Sequence, residues 1–111
     1  MEIKINPENL SSKMSIKEQI EFLNNNIKDI VDYFVYASWK NKQMRSLYYP
    51  ETLEMEYDEY FEYYNNNFRP KEEVLKQECT DLINDGYSLK FQLDAWVVWN
   101  SKNIWNDLKR L

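Results

Sequence analysis

The carboxylates are the groups of this chain that could do acid–base chemistry in pairs. Close pairs occur at Glu18/Glu21 and Glu59/Glu62. Acid–base work by two carboxylates needs a cleft that raises one pKa and leaves the other low. Nothing in the sequence marks such a cleft, so both pairs read as solvated helix surface. There is no His, which removes the commonest general base at neutral pH, His-dependent triads and imidazole metal ligands. It also removes the Glu-x-x-His pairs of di-iron bundles. A lone Cys79 can make neither an internal disulfide nor an ordinary zinc site. Without a His base, on the apolar face of a helix, it reads as a core residue. The Asp-x-Asp-x-Asp-Gly calcium pattern is missing, and a single Gly leaves no phosphate-cradling loop. The expectation is a protein with no cofactor, no metal and no enzymatic role.

What remains is a concentration of charge. Leu53 to Tyr64 interleaves acids with aromatics, and no Lys or Arg lies between Arg45 and Arg69. That interval holds six acids: Glu51, Glu54, Glu56, Asp58, Glu59 and Glu62. The chain has 14 bases and 19 acids, so outside the interval 14 bases face 13 acids and the charge is nearly balanced. The acidity is therefore local. Basic residues gather at Lys40, Lys42 and Arg45 and at Lys102, Lys109 and Arg110, with Trp39, Trp99 and Trp105 nearby. Cations at helix C-termini and core tryptophans account for them, in preference to a nucleic-acid stacking surface.

The elements that must carry these groups read as helical. One Gly and two Thr in 111 residues argue against hairpins and strands. Met1–Ile5 alternates in the manner of a short edge strand before Asn6-Pro7 breaks it, and residues 1–14 read as an extension. Ser15 with Glu18 forms a capping box. Apolar residues at 16, 20, 23, 27, 30 and 34 then draw one stripe along a helix over about 15–45. Tyr49-Pro50 ends it and opens a second helix over about 51–66. There, Leu53, Tyr57, Tyr60, Phe61, Tyr64 and Phe68 share an inward face, and Glu51, Glu54, Asp58 and Glu62 an outward one. Pro70 opens a third helix with Val74, Leu75, Cys79, Leu82 and Ile83 inward, closed by Gly86 in the left-handed position.

From Tyr87 to Trp99 every odd residue is apolar, a strand signal. Leu89, Leu93, Trp96, Val97, Ile104, Leu108 and Leu111 nonetheless fit one helical face, with Ser88 as cap. Val31-Asp32-Tyr33-Phe34-Val35-Tyr36 is faintly echoed by Leu93-Asp94-Ala95-Trp96-Val97-Val98, each with Lys-Asn eight residues past the aspartate. The expected fold is all-α, a single domain of three to four helices over 1–111. The alternative is α+β, with strands at 1–5 and 87–99.

The functional expectation follows from the acidic face. Carboxylates one turn apart, about 6 Å along a helix, approximate the phosphate spacing of a nucleic-acid strand. They would fit the basic groove of another protein and attract it at long range. The candidate contact residues are Glu51, Glu54, Asp58, Glu59, Glu62 and Tyr63, tyrosine being favoured at interfaces. A solvated face that keeps an aromatic-rich protein soluble is the competing account. The expected partner is a protein such as a nuclease or another nucleic-acid-binding protein. Direct nucleic-acid binding and membrane association are not expected, because the balance is acidic and no apolar run approaches a membrane span. The unpaired cysteine and the lack of a signal-peptide pattern fit a cytoplasmic protein. Small, acidic, non-enzymatic inhibitors of this kind include phage anti-defence (anti-CRISPR-like) proteins and toxin antidotes. The alternative is a helical oligomerisation or scaffold protein seamed by its first helix or its Trp-rich C-terminal segment.

Overall fold

A computed structural model describes residues 3–11, 13–67 and 69–98. It is mostly helical. Six α-helices follow one another: α1 Ile16–Asn25, α2 Ile27–Lys40, α3 Lys42–Tyr48, α4 Tyr57–Asn67, α5 Glu72–Asn84 and α6 Leu89–Val98. Short 3-10 turns occupy Pro7–Asn9 and Pro50–Thr52. No strand occurs among the described residues, so the α+β alternative fails where it can be judged. Residues 89–98 are helix and 3–5 have no regular structure. Six helices also replace the three to four expected.

The extra helices come mainly from one misjudged stretch. The single helix expected over 15–45 is three helices, α1 to α3, divided at Asn26 and Asn41. Asn26 leaves helical geometry with φ −125° and ψ 22°, and its side-chain amide donates to the Phe22 carbonyl at 2.9 Å. A short polar side chain competes here with the backbone ladder and bends the chain. At Asn41, with φ −88° and ψ 79°, the backbone N–H is shared between the Ala37 and Ser38 carbonyls. The apolar stripe survives both breaks, with Leu23, Ile30 and Phe34 buried along it. Periodicity reports which face is inward, not whether the axis is straight.

α2 is the centre of the molecule. Ile30, Val31, Tyr33, Phe34, Val35, Ala37 and Ser38 are all buried, which is nearly the whole circumference, as expected of a helix packed on several sides. It contacts each of the other five helices, while α1 also lies along α5. The capping box is present: the Ser15 hydroxyl accepts from Glu18 N–H at 3.1 Å, and the Glu18 carboxylate accepts from Ser15 N–H at 3.0 Å. That charge-assisted bond lowers the Glu18 pKa.

α5 ends in a Schellman turn. Tyr87 N–H reaches the Leu82 carbonyl, Gly86 N–H reaches that of Ile83, and Gly86 sits at φ 102°. Leu75, Cys79 and Ile83 form its buried face, and burial pushes the Cys79 thiol up to about 12, in keeping with a core cysteine. Ser88 caps α6 by accepting from Phe91 N–H at 3.1 Å. Gln19 ties the start of α6 to α1, accepting from Leu89 N–H at 2.9 Å. The Lys90 ammonium donates to the Pro7 carbonyl, and Ile5 and Pro7 are buried, so the residues before α1 pack against the body. The Trp-rich segment from residue 99 on, with its basic residues, lies outside the described residues. No helix among the described residues is long and apolar enough to cross a membrane.

Candidate interaction surface

The acidic interval is built differently from its sequence expectation. A continuous helix over 51–66 does not form. Pro50–Thr52 is a 3-10 turn, residues 53–56 carry the chain around it, and α4 begins only at Tyr57. The expected row Glu51–Glu54–Asp58–Glu62 on one helix face is therefore not made. Asp58, Glu59 and Glu62 share α4, whereas Glu51 and Glu54 project from the turn before it. Proline at position 50 starts a turn well enough, but the acids and Thr52 after it do not sustain a helix against the side-chain bonds described next.

Those bonds come from the interior. Thr52 is wholly buried, and its hydroxyl donates to the Tyr49 carbonyl at 2.7 Å. Arg45, only 1% exposed, donates from its guanidinium to the Thr52 carbonyl and lies over the Tyr60 ring, 5.3 Å from its centroid. The Trp39 indole donates to the Met55 carbonyl at 3.1 Å. Backbone outside regular structure has no ladder to satisfy its carbonyls, so side chains must do so singly. Arg45, expected at a solvated helix end, is instead the anchor of this segment. Burial lowers its pKa, and its Nε has no acceptor among the described residues.

On α4, Tyr60 and Tyr64 are fully buried and stack on each other at 5.8 Å. The Tyr60 hydroxyl shares a short hydrogen bond with Ser38 of α2. Tyr57 sits against Tyr36 and Trp39, and Phe61 packs edge-on against Tyr57. The inward tyrosines are thus found as expected; Leu53 is not among them, being 37% exposed, and Phe68 lies outside the described residues.

The outward side is acidic throughout. Glu51, Glu54, Glu56, Asp58, Glu59 and Glu62 are all exposed. Tyr63, half-buried, donates its hydroxyl to the Glu51 carboxylate at 2.8 Å. That bond brings Glu51 and Tyr63 together across the turn. It contributes to the lowered pKa of Glu51, after the bond to its own backbone, and raises that of Tyr63. Glu54, Glu56, Glu59 and Glu62 make no ion pair among the described residues. The pairs weighed for acid–base chemistry, Glu18/Glu21 and Glu59/Glu62, are exposed, and of the four only Glu62 borders one of the shallow depressions described next. Among the described residues no three His, Cys, Asp or Glu side chains gather to hold a metal.

Two shallow depressions adjoin on this side. Asp58, Phe61, Glu62, Asn65 and Asn66 line one of about 390 Å³. The other, about 430 Å³, shares Phe61 and Asn65 and is completed by Lys28, Asp32, Arg69 and Glu72. Arg69 holds the second in shape, donating to Asp32 and to Asn65, each at 2.9 Å. The sequence reading missed both the buried arginine and this groove. The only signal of either is that Arg45 and Arg69 are the bases that bound the base-free interval. Comparison with protein-family models, curated proteins and solved structures gives no match.

Proposed function

We propose that this chain is a small non-enzymatic inhibitor that binds another protein through the surface of residues 51–62. The class would be phage anti-defence or toxin antidote, and the target the basic site of a nuclease or another nucleic-acid-handling protein. The observation that carries the reading is the pairing of a fixed backbone with exposed acids, of which Glu54, Glu56, Glu59 and Glu62 make no ion pair among the described residues. Arg45, Trp39 and Thr52 hold the turn from inside, while all six carboxylates of the interval face solvent. A preorganised surface loses little entropy on binding, and clustered like charge steers an oppositely charged partner. The acids span a turn and a helix rather than one straight row, so they suit a curved basic groove.

The test begins with capture of the partner from the native host. Its affinity for the purified chain is expected to fall steeply between about 50 and 300 mM salt, as exposed charges are screened. The Glu54→Lys/Asp58→Lys/Glu62→Lys triple variant is expected to abolish binding while its unfolding midpoint stays within about 0.5 kcal/mol of the parent. A folded triple variant that binds normally would exclude this surface.

A second reading, a helical oligomer, draws on a different feature. Tyr87 and Phe91 are 50% and 49% exposed and pack on each other with centroids 6.0 Å apart at the start of α6. Light scattering over a hundredfold range of concentration separates the two, because a strict monomer leaves the pair without a role in assembly.

A further inference from the structure

The acidic surface, read as a partner-binding face, contains one place shaped for a particular side chain. We propose that the depression over Phe61 receives an arginine of the basic partner, its guanidinium plane on the Phe61 ring and its N–H groups directed to Asp58 and Glu62. This rests on the acidic-face reading and specifies its centre.

The residues lining the depression fall at 58, 61, 62, 65 and 66, a single stripe of α4. Asp58 and Glu62 stand one turn apart along it, and Phe61 lies to one side of both around the helix. Phe61 is half-buried and held edge-on by Tyr57, which is itself wedged between Tyr36 and Trp39, so its ring has little freedom. Asn65 is held by Arg69 from the other side. The site is thus an aromatic floor with carboxylates on one rim and a fixed amide at its end. None of the described lining residues is basic.

A planar guanidinium can stack on a ring and hydrogen-bond outward in its own plane at once. A lysine ammonium, a compact hydrated point charge, cannot do both. The chain already uses this chemistry on its own arginines. Arg45 lies over the Tyr60 ring of α4, and Arg69 bonds a carboxylate and the same Asn65 from the opposite side of the ridge. The outer stripe presents the same set of aromatic ring, carboxylate and asparagine amide to solvent.

The experiment uses the ¹⁵N-labelled full chain at low salt and two blocked peptides, Gly-Arg-Gly-Arg-Gly and Gly-Lys-Gly-Lys-Gly. The arginine peptide is expected to shift the amides of 58, 61, 62, 65 and 66 and to bind about threefold tighter than the lysine peptide. Phe61→Leu is expected to erase that preference, and Glu62→Gln, at an exposed position, to weaken the arginine peptide more than the lysine one. Equal binding of the two peptides, with shifts spread along 51–62, overturns the arginine site and leaves the acidic-face reading standing. Binding by neither peptide overturns both. A preference that persists in folded Phe61→Leu, or that is undiminished in Glu62→Gln, also overturns the site.

Discussion

The turn leading into α4 is fastened to α2 and α3, and the helix α6 to α2, by opposite means. The turn is held by polar side chains that reach single carbonyls: Arg45 to Thr52, Trp39 to Met55 and Thr52 to Tyr49. α6 satisfies its own backbone and is held by apolar contact through Leu89 and Leu93, both buried. Two amides are added: Gln92 donates to the Cys79 and Tyr87 carbonyls, and Gln19 of α1 accepts from Leu89 N–H. A segment without regular structure gains order from a few directional bonds, and each is a point at which it can fail. A helix spreads the same task over area, roughly 25 cal/mol per Å² of apolar surface, and fails gradually. The turn that carries Glu51 and Glu54 stands on the first kind of support, and α4, with Asp58, Glu59 and Glu62, largely on the second through Tyr60 and Tyr64.

Alkaline pH should separate the two supports most widely. Burial raises the hydroxyls of Tyr49, Tyr57 and Tyr60 to about 12 from an ordinary 10.0, all three in or beside the turn and α4, while on the α6 side Tyr33 of α2, near Asp94, and Cys79 of α5 are raised likewise. For a group raised on folding, the stabilisation is complete below the unfolded pKa and disappears as pH climbs through the folded one. Stability should therefore be flat up to about pH 10 and fall through about pH 12. Hydrogen exchange should show the 49–64 region opening before α6. Simultaneous loss of both would show that the two supports are not separable.

Substitution should sharpen the contrast next. Arg45→Ala removes a buried anchor and strands the Thr52 carbonyl, at a cost of about 3–4 kcal/mol. Leu93→Ala should cost about 3 kcal/mol by cavity formation alone. The two would look alike in a denaturant melt but not in local exchange. Arg45→Ala should expose the amides of 50–56, and Leu93→Ala should loosen α6 and spare them. The smallest effect belongs to Trp39→Phe, which keeps the ring stack and deletes one donor, for about 1 kcal/mol. If it leaves exchange at Met55 and Glu56 unchanged, the indole bond is not part of the support.

Helical content, the Ser15 and Ser88 caps, the Gly86 stop and the inward faces of α2, α4 and α5 were all legible, because each depends on local chemistry or on periodicity. The breaks at Asn26 and Asn41 were not. Both leave the apolar stripe in register, and asparagine is tolerated inside helices often enough to hide a bend. Alternation is a false strand signal in two places, and the helix preferred over it holds for 89–98 but not for 53–56. Over 87–98 the odd positions are apolar, yet Phe91 is exposed and Gln92 buried, because the helix sorts side chains by a hundred degrees per residue rather than by parity. Over 53–56 the alternation belongs to neither a strand nor a helix but to a turn whose shape is dictated by Arg45 and Trp39, residues before the interval begins. The candidate acids were legible as a charge concentration and their exposure followed. Their arrangement was not, since it depends on those two distant side chains.

Confining the excess acid to one interval also makes the charge of the described surface uneven, which the formal charge of −5 does not record. Such a protein approaches a charged surface in a preferred orientation. On an anion-exchange resin it would meet the matrix with residues 51–62 first and elute later than an evenly charged protein of the same size and net charge.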